Sequence, residues 1–171
     1  MKQIIIINSA GFGKEVEEWI RLMPGFGVEY IIKGFLDDRK LESENKFIIG
    51  RVEDYIIENS DVFVCALSNP FTKEKYTKII LDKGGLFINV IHPNNYFSPT
   101  VNLGSGIIIG PFNSFSINSQ IGDFSTIYGF SKIGHDTLVG DFVHISSHCS
   151  IYGGSQIEDY SIVEPFTHIK K

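Results

Sequence analysis

The second half of the chain repeats its apolar residues with a period of six. Between positions 103 and 169, every sixth residue is bulky and apolar without exception. These positions are Leu103, Ile109, Phe115, Ile121, Ile127, Ile133, Val139, Ile145, Ile151, Ile157, Val163 and Ile169. From position 113 onward, the residue four places beyond each apolar one is small almost throughout, and glycine often follows the apolar residue directly. A helix repeats near 3.6 residues and a strand near two, so neither element alone explains the pattern.

A period of six is typical of a solenoid in which a short flat strand and a corner together take six residues. Three such units close one triangular turn, with the large residue pointing inward and the small residue at a tight corner. Glycine is expected to relieve the backbone at these corners. The pattern predicts a left-handed parallel β-helix, an exception to the right-handed rule for parallel crossovers. A β-sandwich fits poorly, because its turns fall at irregular intervals.

The first half of the chain reads as a small parallel α/β unit. An aliphatic run at 3–7 suits a buried parallel strand, and a glycine turn separates it from apolar residues at helical spacing. Further strands are predicted at 28–36, 47–50, 61–67 and 86–91, and helices at 14–23, 52–58 and 73–83. This order predicts a Rossmann-like α/β domain over residues 1–92 and a β-helix domain over 97–171, joined by a connection rich in Pro and Asn.

Charge and hydropathy narrow the possible partners. The net charge is −5 and no Lys/Arg cluster is present, which argues against nucleic acid and anionic membrane surfaces as partners. No apolar run reaches the length of a membrane span, and the opening apolar stretch is too short for a signal peptide. We therefore expect a cytoplasmic protein without membrane insertion. Cys65 and Cys149 occupy apolar strand-like positions and are expected to be reduced packing residues.

Three turns that follow predicted strands are candidates for nucleotide binding. Two glycines after the first strand would let a backbone approach a phosphate at a helix N-terminus, although a plain tight turn has the same signature. Two carboxylates end the second strand, where they can accept hydroxyl or base N–H groups. Because the carboxyl ends of parallel strands meet at one edge of the sheet, a nucleotide-type ligand is predicted there. The residues are Gly11, Gly13, Asp37, Asp38, Ser68 and Asn69.

A second candidate site is the sequence Gly134-His135-Asp136. A neighbouring carboxylate can hold an imidazole in one tautomer and make it more basic, as a general base requires. Adjacent strand residues point to opposite faces, so Asp136 can orient His135 only if the corner bends the chain. The alternative is that exposed histidines merely decorate a polar strand edge.

The spacing of two histidines predicts an oligomer. His144 lies nine residues beyond His135, half of an eighteen-residue turn, so the two lie on opposite sides of one prism. Their separation is roughly 15 Å at about 3.3 Å per strand residue. They can cooperate only across a subunit boundary, which predicts a homo-oligomer, most simply a trimer. The spacing with His148 does not give the zinc pattern of the carbonic anhydrases of this solenoid class, and no metal is expected.

Taken in order, these motifs resemble those of the hexapeptide-repeat sugar O- and N-acetyltransferases that carry a small N-terminal nucleotide-binding domain. Members include relatives of the sialic-acid O-acetyltransferases and the bacterial UDP-4-amino-sugar N-acetyltransferases. The resemblance covers nearly the whole chain. It rests on the segments 9–16, 35–38, 68–70, 91–93, 98–99, 133–136 and 139–145.

The resemblance implies an acetyl-CoA-dependent acetyltransferase that acts on a nucleotide-linked sugar in surface-glycan synthesis, with N-acetylation slightly preferred over O-acetylation. It implies that acetyl-CoA lies in the groove between adjacent prisms of a homotrimer, and that neither a metal nor a covalent intermediate is required. His135 would be the general base, Asp136 its orienting acid, and His144 the second histidine near the acetyl group. The nucleotide would be held by Gly11, Phe12, Gly13, Asp37 and Asp38.

The chain departs from the family pattern in four places. Asn8 stands where the family often has Gly, Phe12 replaces a His of some relatives, and Asp136 is shorter than the Glu of others. The repeats end at Ile169, whereas relatives continue through further turns that help to line the CoA groove. The alternatives are therefore an acyltransferase or O-acetyltransferase with another acceptor, and a truncated or non-catalytic subunit that binds sugar nucleotides.

Overall fold

A four-stranded parallel sheet with a helix on each face forms the N-terminal part of the protein. The structure is a computed structural model, and it describes residues 1–39 and 47–170. The strand order in the sheet is β3-β2-β1-β4, all parallel. The elements are β1 (Lys2–Ile7), α1 (Gly11–Leu22), β2 (Tyr30–Leu36), β3 (Ile48–Gly50), β4 (Asp61–Cys65) and α2 (Pro70–Asp82).

The aliphatic run in β1 supplies core residues to both faces of this sheet. Ile4 and Ile6 are fully buried in a cluster with apolar residues of α1, whereas Ile5 packs on the opposite face with Ile80 of α2. Successive strand residues point to opposite faces, so a strand that is covered on both sides has no polar positions. The uninterrupted run of isoleucines is therefore the signature of a central strand.

The rest of the chain forms a left-handed parallel β-helix with three flat walls, as the period of six predicts. Each strand pairs in parallel with the strand eighteen residues away, so each coil contributes one strand to each wall. The first wall contains β5 (Val90–Ile91), β8 (Ile108–Ile109), β11 (Thr126–Ile127), β14 (His144–Ile145) and β17 (Ile162–Val163). The second contains β6 (Tyr96–Phe97), β9 (Ser114–Phe115), β12 (Lys132–Ile133), β15 (Ser150–Ile151) and β18 (His168–Ile169). The third contains β7 (Asn102–Leu103), β10 (Gln120–Ile121), β13 (Leu138–Val139) and β16 (Gln156–Ile157).

The corners of the β-helix are built differently from the expectation. The residue three places beyond each apolar position has a positive φ, and at most corners it is an aromatic or polar residue, as at Phe112 (61°), Asn118 (58°) and Asp136 (54°). Glycines directly after the apolar residues do not have a positive φ, so the prediction that they relieve the backbone was wrong. They are required by coil-to-coil packing instead, since a Cβ on Gly134 would lie 2.4 Å from the backbone nitrogen of Gly153.

Two sequence-based predictions in the first half are also corrected. The stretch 52–58 contains no helix, and 86–91 is not one strand of the α/β sheet. Phe87 forms a single bridge to Phe63 of β4, after which Val90–Ile91 already pairs with β8 of the β-helix. The chain therefore passes from the sheet to the first coil within three residues. No helix within residues 1–39 and 47–170 is long and apolar enough to cross a membrane.

Candidate active site

His135 and Asp136 form a hydrogen-bonded pair at a corner of the β-helix. They lie between β12 and β13, and the left-handed backbone of Asp136 (φ 54°) turns its side chain back toward the preceding residue. The carboxylate oxygen Oδ2 of Asp136 is 2.8 Å from Nδ1 of His135. The bend that the sequence analysis required is thus present, and it sets the tautomer: a proton on Nδ1 leaves the lone pair of Nε2 free.

Two residues that the sequence analysis did not single out hold this pair in place. Asn118 donates through Nδ2 to the other carboxylate oxygen of Asp136 at 3.0 Å. Hydrogen bonds from His135 and Asn118 hold the pKa of the Asp136 carboxyl below its usual value. Gly153 lies under the imidazole ring, where a Cβ would be 2.4 Å from Nε2 of His135. Asn118 and Gly153 each lie eighteen residues, or one coil, from the residue that they contact. The eighteen-residue repeat could therefore have identified them from the sequence.

The histidine opens onto a cavity of about 380 Å³ on the second wall. The lining includes the outward side chains of Lys132, Ser150 and Tyr152 together with Gly153. The side chain of His135 is 64% exposed and forms part of the lining of this cavity. The arrangement can therefore accept a proton from a molecule bound there.

The glycine turn after β1 has two glycines with different functions. A Cβ on Gly13 would lie 1.8 Å from the carbonyl oxygen of Asn8, so this glycine is required for helix–strand packing. Gly11 has nothing within 4 Å of its Cβ position, which leaves its backbone open to a ligand. Asn8 has a φ of 91°, a conformation that glycine adopts freely and that asparagine tolerates better than most residues. Ala10 at the N-cap provides no side-chain acceptor to the N-terminus of α1.

The two predicted carboxylates at this sheet edge are already engaged by protein groups. Asp37 is buried and accepts hydrogen bonds from the backbone nitrogen (2.9 Å) and hydroxyl (2.8 Å) of Ser9. Burial opposes its ionisation, but hydrogen bonds from Ser9 and Arg39 hold its pKa below the usual value. Asp38 accepts from the backbone nitrogen of Val52 at 2.8 Å. These side chains thus order the loops, and the guanidinium of Arg39, which the sequence analysis did not single out, lies at the same edge.

Ser68 and Asn69 lie at the start of α2 and are exposed. Asn69 is the N-cap of the helix, and its Oδ1 accepts from the backbone nitrogen of Thr72 at 2.9 Å. This bond satisfies one of the free N–H groups in the first turn of α2. Asn69 therefore has a structural function in the loop between β4 and α2.

His144 lies on the first wall, beneath the N-terminal domain. Its ring centroid is 6.5 Å from that of Phe12 in the glycine turn and 5.7 Å from that of Tyr128. The residue is only 8% exposed, and its Nδ1 atom has no hydrogen-bond partner among the described residues. Burial, with a smaller contribution from the charge of Lys73, lowers the pKa of His144 to about 4.

The predicted site residues therefore form two groups within one chain. Phe12 and His144 are brought together with the glycine turn, whereas His135 and Asp136 lie at the corner between the second and third walls. Cys65 and Cys149 are both buried and free. Within the described ranges, no group of three or more His, Cys, Asp or Glu side chains could hold a metal ion.

A parallel α/β domain followed by a left-handed β-helix places the chain in the class of hexapeptide-repeat proteins with an N-terminal α/β domain. Residues 3–80 match the family described as the PglD N-terminal domain. The resemblance to the hexapeptide-repeat sugar acetyltransferases is confirmed by this match and by the relatives described next.

Three relatives illustrate the similarity. The GDP-perosamine N-acetyltransferase of Escherichia coli O157:H7 is 31% identical over 109 residues, which are 64% of this chain and 49% of that protein. The chain thus spans about half the length of this curated relative. WeeI from Acinetobacter baumannii AYE superposes with a TM-score of 0.84 at 24% identity, covering all of this chain and 82% of that one. A mutant of perosamine N-acetyltransferase from Caulobacter crescentus, solved with CoA and GDP-perosamine, has a TM-score of 0.63 at 18% identity, with 95% and 93% coverage.

Proposed function

We propose that this chain transfers the acetyl group of acetyl-CoA to the amino group of a nucleotide-linked sugar. The observation that carries the proposal is the His135–Asp136 pair, oriented by a 2.8 Å hydrogen bond and open to a cavity on the β-helix. Relatives named as acetyltransferases, one of them bound to CoA and GDP-perosamine, support acetyl-CoA as the donor and a nucleotide-linked amino sugar as the acceptor.

In the proposed reaction, His135 is the general base. The neutral sugar amine attacks the thioester carbonyl carbon, and its proton passes to Nε2 of His135. Asp136 stabilises the imidazolium that forms, since its carboxylate accepts the hydrogen bond from Nδ1. The C–S bond of the tetrahedral intermediate then breaks, the amide forms, and the proton on Nε2 goes to the departing CoA sulfur. Backbone N–H groups of the coil corners are suited to meeting the oxyanion.

The nucleotide would bind at the carboxyl edge of the α/β sheet. Gly11 leaves space beside the N-terminus of α1, where backbone N–H groups and the helix dipole favour a phosphate. The guanidinium of Arg39 adds a positive charge at the same edge, and Asp38, besides its bond to Val52, would accept from sugar or base hydroxyl and N–H groups. In this arrangement Asp37, Gly13 and Asn69 shape the edge and do not contact the ligand.

The complete site would form between neighbouring copies in a homotrimer. His144 and Phe12 lie beside the proposed nucleotide edge of their own chain, and His135 lies at a different corner of the prism. A closed cyclic oligomer would place the His135 corner of one copy against the His144 side of the next. The sugar would then reach from its nucleotide on one chain to the base on another.

The test is acetyl transfer by the full chain with a panel of UDP-, dTDP- and GDP-linked amino sugars. CoA release and mass spectrometry of the sugar product are the readouts, and His135→Ala is the matched control. We expect turnover with at least one donor–acceptor pair and a loss of about 100-fold or more in His135→Ala. Calorimetric binding of the sugar nucleotides without any turnover would contradict the proposal and would support a non-catalytic subunit.

A further inference from the structure

A buried lysine joins the N-terminal domain to the β-helix. The residue is Lys73 in the second turn of α2, and it is only 3% exposed. Its ammonium nitrogen donates to the carbonyl oxygen of Phe124 at 2.9 Å and to the hydroxyl of Thr126 at 2.6 Å. Both acceptors belong to the β-helix, more than fifty residues away in sequence. The side chain thus crosses from one part of the protein into the wall of the other.

These hydrogen bonds place Lys73 close to two parts of the proposed site, namely His144 on the first wall and the carboxyl edge of the sheet. Thr126 is the in-register neighbour of His144 on the first wall, one coil apart. Lys73 also follows the turn with Asn69, which starts α2 at the carboxyl edge of the sheet. The ammonium group therefore connects that edge directly to the coil of Thr126, which is the neighbour of the coil that carries His144.

Packing alone does not explain a charged group at this place. Among the described residues Lys73 has no carboxylate in salt-bridge contact, and a buried ammonium group that is bonded only to neutral acceptors is costly to desolvate. Burial lowers its pKa to about 8, so the group is still mostly protonated at neutral pH. An apolar side chain would fill the same volume without this cost, but it would not fix the direction of the contact.

We propose that Lys73 is a positioning residue for acetyl transfer, because it fixes the carboxyl edge of the sheet against the coil of Thr126, which pairs with the coil of His144. The inference rests on the proposed function and adds a residue to its site. Lys73 acts through other groups and does not contact the reacting atoms.

The charge of Lys73 also acts on His144. The titratable groups around this imidazole are Lys73 from α2 and Tyr128 from the adjacent rung, whose hydroxyl donates to Glu15 of α1. The positive charge and the burial both keep His144 neutral. Removing the ammonium group leaves the burial, so the pKa of His144 is expected to rise without returning to its solution value.

The first test compares Lys73→Met with Lys78→Met, a matched change on the exposed face of the same helix. We expect Lys73→Met to lower kcat by about tenfold or more with little change in the KM for acetyl-CoA, since a misplacement of about 1 Å can cost about 100-fold. The pKa of His144, followed by NMR of its ring proton, should rise by about one unit. Unchanged kcat and unchanged His144 titration, or equal losses in Lys78→Met, would overturn the proposal.

A second pair of variants decides the matter if Lys73→Met does not fold. Thr126→Val removes one acceptor at nearly constant volume, whereas Thr126→Ser keeps the hydroxyl. We expect Thr126→Val to lower kcat severalfold and Thr126→Ser to keep wild-type kcat, and equal kcat values would overturn the proposal. Failure of the proposed function is distinguishable, because a wild-type chain without acetyl transfer can still show the His144 titration change in Lys73→Met.

Discussion

Gly153→Ala is the substitution that tests the proposed base most sharply, because it adds one methyl group beneath the imidazole. The new Cβ would lie 2.4 Å from Nε2, 2.6 Å from Cδ2 and 2.7 Å from Cε1 of His135. The φ of Gly153 is not in the left-handed region, so alanine fits the backbone. The three atoms nearest to the new Cβ all belong to the His135 ring, so the ring has to move.

The size of the effect follows from these distances. Carbon–nitrogen contacts below about 3.4 Å are repulsive, so the ring must shift by about 1 Å or rotate away from Asp136. A displacement of about 1 Å can cost about 100-fold in rate, and a general base contributes about 100- to 10,000-fold. The ring is 64% exposed and can move into solvent, so the melting temperature should change little.

The assay is kcat for acetyl transfer in Gly153→Ala, His135→Ala and the double variant, with melting temperatures for all three. We expect a loss of about 100-fold in Gly153→Ala and no further loss when it is combined with His135→Ala, since both act on one group. A Gly153→Ala enzyme with wild-type kcat would refute the placement of His135. Multiplicative losses in the double variant would mean that Gly153 acts independently of the ring.

Two further predictions concern stability and nucleotide binding. His144 has a folded-state pKa of about 4, below its usual 6.5, so the unfolded chain binds the proton first and stability is lost as the pH falls from about 6.5 to about 4. His144→Phe should reduce the loss between pH 7 and pH 4.5 by about 2 kcal/mol, measured by urea unfolding at the two pH values. Identical pH dependence in both proteins would count against the buried imidazole. Gly13→Ala should lower the free energy of unfolding by about 1–3 kcal/mol because of the contact with Asn8. Gly11→Ala should leave stability nearly unchanged and weaken sugar-nucleotide binding in calorimetry. A large loss of stability in Gly11→Ala, with none in Gly13→Ala, would contradict the functions given to these two glycines.

The β-helix was predictable because its sequence period reports the geometry of the wall directly. Every inward position faces the same crowded interior, so a bulky apolar residue recurs at each one. The corners were not predictable in the same way. Their left-handed residues stack on equivalent residues one coil away, as Phe112 does on Phe130 with ring centroids 5.1 Å apart, and such contacts hold a conformation that single-residue preferences disfavour.

The sequence singles out residues for the candidate site, but it does not specify their environment. The contact between His135 and Asp136 depends on one backbone angle that periodicity does not specify. The burial of His144 depends on the docking of an N-terminal domain that lies far away in sequence. Lys73 gave a weak signal, since it shares the buried face of α2 with Thr77 and Ile80, where a lysine is unusual.

Mixed oligomers of His135→Ala and His144→Ala, each expected to be inactive alone because both histidines belong to the proposed site, test the central claim of a site shared between copies most directly. His135→Ala and His144→Ala would be co-expressed in equal amounts, and acetyl transfer would be compared with that of each variant alone. If each site takes His135 from one chain and His144 from its neighbour, half of the chains can supply each group, and about one quarter of the sites are intact. We predict that mixing restores about a quarter of wild-type activity, whereas a mixture as inactive as its components would contradict a site built from two chains.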